Sequence, residues 1–148
     1  MNGELSGSAD VVFEGVHSTL AIERPGAGIV VLRLTGWDVG ELGNAPMREL
    51  AKDVAVQQGV EFFIDARAVK AATTDVSSDW AQWLAKHRSR FGHISMLTGS
   101  PFIQLTANFV RQFAELGDIM RLYTDPVAFD AALALSVNNS PSIGIRAT

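Results

Sequence analysis

The groups able to do chemistry in this chain stand where apolar runs stop. Asp65 closes the run Val60-Glu61-Phe62-Phe63-Ile64, and Arg67 and Lys70 follow within five residues. A carboxylate beside a base performs acid–base work when burial or neighbours tune its pKa, so an enzyme built on Asp65 is one class to hold open. Trp37 and Asp38 follow a second apolar run, Thr98 and Ser100 a third, and Thr124 and Asp125 a fourth. In an open parallel sheet such strand ends collect ligands. Helix starts beside them offer free N–H groups and a partial positive charge, suited to a phosphate, a carboxylate or a phosphorylated side chain. The same residues have an ordinary structural use: Ser100 and Asp125 as helix caps, and Asp65 as an acceptor for loop N–H groups.

Four hydroxyls, Thr73, Thr74, Ser77 and Ser78, precede a helical stretch carrying Trp80 and Trp83. They are candidate phosphorylation sites, because a phosphate at a helix N-terminus is electrostatically welcome. They also read as a polar loop with a cap, a role Asp75 would fill equally well. Trp80 and Trp83 lie three apart on one helical face, which favours the core, although one of them could line an apolar ligand pocket. His17, His87 and His93 are scattered, with no His-Glu-x-x-His spacing, so no metal is expected. No P-loop, Gly-x-Gly-x-x-Gly stretch or Gly-x-Ser-x-Gly elbow occurs, and no cofactor is implied.

Composition narrows the classes. The 148 residues fit one domain, and 47% hydrophobic with 19% charged residues is a globular balance. A net charge of -4 argues against a nucleic-acid binder, which needs a basic face. The absence of cysteine removes disulfides and thiolate chemistry. No stretch approaches the roughly 18 uninterrupted apolar residues of a membrane span. The start, MNGELSGSADVVFEG, lacks a basic region followed by an apolar core, so no signal peptide is expected and the cytoplasm is the expected location.

The elements that must position these groups follow from periodicity. Residues 11–14 read as a short strand, and Leu20 and Ile22 mark an edge strand over 17–24. Pro25-Gly26-Ala27-Gly28 is turn chemistry, and 29–34 is the second arm of an antiparallel hairpin. Residues 36–43 form a glycine-punctuated loop, and Asn44 caps a helix with Met47, Leu50, Ala51, Val54 and Ala55 inward. The strand 60–64, a loop over 66–75, and a helix with the stripe Val76, Trp80, Trp83, Leu84, His87 and Phe91 come next. A strand over 93–98 leads into a helix started by Ser100-Pro101, with Phe102, Leu105, Phe109, Val110 and Phe113 as its core face. A strand over 119–123 and a helix started by Asp125-Pro126 complete a single α/β domain over residues 10–136, with tails over 1–9 and 137–148 expected to be flexible. Strands alternating with helices call for a mixed sheet, antiparallel at the front and parallel after it, covered by about four helices.

The β-rich start, the Gly36-Trp37-Asp38 stretch, the strand closed by Asp65, the sequence Asp79-Trp80-Ala81-Gln82-Trp83 and the Asp125-Pro126 helix start together resemble the STAS family, sulfate transporters and anti-sigma factor antagonists. The likeness is to its SpoIIAA-like branch and spans about residues 17–135. It implies a bacterial, non-enzymatic regulatory domain whose partner is a protein, a kinase-like regulator among the candidates. In the antagonists a serine in an Asp-Ser-Ser-Gly motif is phosphorylated. Here Thr73 or Thr74 stands nearest that position, and the tetrapeptide is absent.

The reading is a cytoplasmic interaction domain that docks a protein through residues 73–80, with Trp37, Asp38, Asp65, Arg67, Thr98, Ser100, Trp80 and Trp83 as partner- or ligand-binding residues. A carrier of a small apolar ligand, a lipid or apolar anion held under the tryptophan helix, is the second class. A second copy of the chain is a further candidate partner.

Overall fold

A computed structural model describes residues 10–140. Within them the order is β1 (Val11–Glu14), β2 (Ser18–Gly26), β3 (Ile29–Asp38), α1 (Ala45–Val56), β4 (Val60–Ala72), α2 (Thr74–Lys86), a 3-10 turn (Arg88–Arg90), β5 (Phe91–Thr98), α3 (Pro101–Phe113), β6 (Met120–Tyr123) and α4 (Pro126–Asn138). The six strands form one sheet in chain order. β2 pairs antiparallel with both β1 and β3, and β3 through β6 run parallel. The expected mixed α/β sheet is therefore what the chain forms. α4 runs to Asn138, past the expected domain boundary at 136 and into the tail expected over 137–148. The tail expected over 1–9 and the remainder of the second from 141 lie outside the described residues.

Strand alternation divides the core between the two faces of the sheet. On one face Leu32, Phe62, Ile64 and Ile94 pack with Leu50 and Val54 of α1, Leu84 of α2 and Val110 of α3. On the other, Ile29, Val31, Phe63 and Leu97 pack with Phe129 of α4. Phe129 is fully buried, edge-on to Phe63 at 5.9 Å and to Tyr123 at 5.8 Å.

Several boundaries differ from expectation, each for a local reason. β2 is flanked by β1 as well as β3, so β1 is the edge and β2 is internal. Gly36, Trp37 and Asp38 belong to β3 rather than to a loop. Gly36 takes a φ of 83° at a register shift, and a Cβ there would overlap the carbonyl oxygen of His17. It is a bulge that lets the strand continue. Trp37 and Asp38 pair with Ala71 and Ala72, so β4 also runs far beyond Asp65. Phe91 opens β5 and lies outside the tryptophan helix. Asn44 precedes α1 without capping it through its side chain, which accepts instead from Arg48.

The largest departure is in α3. Its sheet-facing stripe is Ile103, Ala107 and Val110, continued by Ala114, whereas Phe102, Leu105, Phe109 and Phe113 are 55%, 71%, 49% and 51% exposed. Apolar residues surround most of this helix, and the smaller stripe turns inward because it lets α3 approach the sheet closely.

Candidate functional site

The carboxyl ends of β3 and β4 lie side by side and bring the first group of expected residues together. Thr73 donates its backbone N–H to the Asp38 carbonyl at 3.0 Å, tying the end of β3 to the start of α2. Thr73 is the N-cap: its hydroxyl accepts from the Val76 N–H at 3.3 Å, the role left open between the hydroxyls and Asp75. Trp37, next to Asp38 at the end of β3, donates its backbone N–H to the His17 carbonyl and is 55% exposed. Ser77 donates to the Thr73 carbonyl and Ser78 accepts from Gln82, while no hydrogen bond engages the Thr74 hydroxyl. Thr74 is exposed on the first turn of α2.

The electrostatics of this corner are negative. Burial pushes the Asp38 carboxyl above its ordinary range, the Gly40 N–H at 3.1 Å opposes that, and Glu41 reinforces it. Asp75 and Asp79 add exposed carboxylates on α2. Glu41 titrates the other way. Loss of solvent raises it, but donors from the His17 N–H, the Ser18 hydroxyl, the His17 ring and the Val16 N–H together lower it. Glu41 had no signal in sequence, because its four donors lie more than twenty positions away.

Under α2 an apolar cavity of about 90 Å³ lies between the sheet and α3, bounded by Leu32, Ile64, Val76, Trp80, Met96 and Ala107. Asp38, Leu42 and Trp80 also line a groove of about 600 Å³ between the 39–44 loop and α2. Trp80 thus faces both spaces, while Trp83 packs against His87 at 4.7 Å and Phe91 at 6.0 Å.

Asp65 and Arg67 are on the opposite face of the sheet, under α4. Asp65 is buried, and its carboxylate accepts from Arg33 at 2.7 Å and from Arg67 at 3.0 Å. Arg33 also bonds Glu23, and Arg67 bonds Asp130 of α4 at 2.6 Å. Hydrogen bonds to Asp130 and Asp65 hold the Arg67 guanidinium more firmly protonated than usual. This chain of alternating charges links β2, β3, β4 and α4. It leaves both carboxylate oxygens of Asp65 occupied.

The third group sits at the start of α3. The Ser100 hydroxyl caps that helix by accepting from the Ile103 N–H at 3.2 Å, and Asp125 caps α4 by accepting from Val127. Thr98 is buried, and its hydroxyl is the one buried side-chain polar atom without a hydrogen-bond partner among the described residues. Arg67, Thr98, Ser100, Gln104 and Thr124 surround a shallow depression there. Among the described residues no cluster of histidine and carboxylate side chains could hold a metal, and no helix is long and apolar enough to cross a membrane.

No protein-family model matches the chain, and no curated protein matches it. Solved structures do. A protein of the DUF3478 family with a SpoIIAA-like fold from Shewanella loihica PV-4 aligns at a TM-score of 0.56 and 14% identity, covering 82% of this chain and 98% of that one. An anti-sigma factor antagonist from Mycobacterium paratuberculosis aligns at 0.50 and 15% identity, covering 86% and 97%. At such identities the likeness shows the fold alone, which is SpoIIAA-like.

Proposed function

We propose that the chain is a cytoplasmic protein-interaction domain of regulatory type, docking its partner at the corner formed by Trp37, Asp38 and the start of α2. The observation that carries this reading is Trp37. A large aromatic stands more than half exposed at a strand end, its backbone bonded to the His17 carbonyl and paired with Ala71 of β4. Exposed aromatics on fixed backbone are the residue type that dominates interface energetics. The surrounding Asp38, Asp75 and Asp79 select a partner with a basic surface, by charge complementarity. An anti-sigma factor antagonist shares the fold, which supports a protein partner, a kinase-like regulator among them. Thr74, free on the first turn, is the hydroxyl best placed for modification, with Thr73, Ser77 and Ser78 already engaged in the helix start. A phosphate there would meet helix N–H groups and add negative charge beside Asp75, which would strengthen docking of a basic surface. Replacing Thr74 or Ser78 by Glu tests the corner as a docking surface: affinity capture from a lysate of the expressing cells should change while circular dichroism does not. Identical capture profiles would count against the site.

A second reading rests on the cavity under Trp80. A void of this volume lined by apolar side chains stays dry and accepts small apolar molecules. In this reading the chain carries a lipid or apolar anion with an apolar part in this void. Native mass spectrometry of freshly purified protein separates the two, since a co-purifying ligand favours the carrier.

A further inference from the structure

We propose that the outer face of α3 is the interface between two copies of this chain, paired antiparallel about a two-fold axis. The proposal is independent of the docking corner at Trp37. α3 completes its packing on the sheet with Ile103, Ala107, Val110 and Ala114, so Phe102, Leu105, Phe109 and Phe113 contribute little to the core of their own chain. Their spacings of three, four and four residues put them on one stripe of a helix, the seam geometry that packs against another helix. Phe109 and Phe113 already stack, with ring centroids 5.9 Å apart. Three phenylalanines and a leucine in a row make a surface that water wets poorly.

Charge selects the occupant. α3 carries one charged residue, Arg111, which lies on the opposite flank of the helix with its guanidinium on Asn108 at 3.1 Å. In a chain with a net charge of -4, pairing most faces with their own copy would oppose like charges. The α3 stripe carries none, so an isologous contact here meets no repulsion. Area agrees. A phenylalanine contributes roughly 150–250 Å² when fully buried, so four side chains about half exposed supply roughly 400 Å² per copy. A standard interface takes about 800 Å² from each partner, of which a little over half is apolar. The stripe supplies the apolar part, and Thr106, Gln112 and neighbouring polar residues supply the rim. With the axis beside the middle of the helix, Phe102 meets the partner's Phe113 and Leu105 meets the partner's Phe109.

Sedimentation velocity of the full chain over a range of concentrations tests this. Twice the chain mass is expected, and Phe109→Glu should restore the single mass by raising the dimer dissociation constant at least ~30-fold, with an unchanged circular dichroism spectrum because the position is half exposed. The chain has no cysteine, so Thr106→Cys creates a single thiol pair near the axis that should form a disulfide-linked dimer on oxidation. Val16→Cys, exposed on the β1–β2 turn, should not. Three outcomes overturn the proposal. One is a single mass at every concentration up to ~1 mM. Another is a dimer that survives Phe109→Glu and is not trapped through position 106. The last is a monomer whose Phe109-dependent binding is to phosphatidylethanolamine–phosphatidylglycerol vesicles, which would make a membrane surface the occupant.

Discussion

Asp38, the last residue of β3, and Glu41, in the loop after it, stand three positions apart, yet their environments drive them in opposite directions. Asp38 is half-buried with one backbone donor, so its folded pKa is raised and its charge costs stability once the pH exceeds the ordinary carboxylate value. Asp38→Asn should therefore raise the melting temperature at neutral pH, and the gain should vanish below about pH 4. Glu41 accepts from two backbone N–H groups, a hydroxyl and an imidazole, so its folded pKa is lowered. Its contribution is present above the ordinary value of about 4.3 and is lost as the pH falls toward the lowered one. Melting curves of Glu41→Gln should fall below wild type near neutrality and converge with it in acid. Asp65 is a different case. Its oxygens are taken by Arg33 and Arg67, and Asp65→Asn should lower stability by about 2 kcal/mol in urea titrations.

Among the helices and strands, the caps carry the sharpest expectation. Thr73→Ala removes the acceptor for Val76 and should cost about 1 kcal/mol, whereas Thr74→Ala, with no bond to lose, should be close to neutral. Chemical denaturation distinguishes them. The order of elements was readable from apolar periodicity, and so were the caps at Ser100 and Asp125, because both signals are local. The extent of β3 and β4 was not. Gly36 and Asp65 look like strand ends in isolation; only the partner strand, with Ala71 beside Trp37 and Arg33 beside Asp65, shows why the chain continues through them. The inward side of α3 was hidden for a related reason. Two apolar stripes share that helix, and the choice between them is made by the sheet it must approach.

For the chain as a whole, the sheet sets Asp38 and Trp80 apart from Asp65 and Arg67, while Arg67 joins the Asp65 group to that of Thr98 and Ser100. Asp38 and Trp80 share a groove on the α2 side and Thr73 bonds the Asp38 carbonyl, Asp65 and Arg67 lie under α4, and Thr98 and Ser100 sit at the start of α3. Facing is a property of strand parity and crossover, which the sequence carries only through which neighbours each strand takes. α4 alone seals the second face, through Phe129. Phe129→Ala should cost about 3–5 kcal/mol and loosen the Glu23–Arg33–Asp65–Arg67–Asp130 chain with it, seen as faster amide exchange along β4. The claim on which the functional account turns is that partners arrive at Trp37 and the start of α2. A photo-crosslinking amino acid placed at position 37, and separately at exposed Val127 on α4, tests that claim in the expressing cells. The account predicts a discrete protein adduct from position 37 and none from position 127; equal adducts from both, or an adduct from position 127 alone, would contradict it.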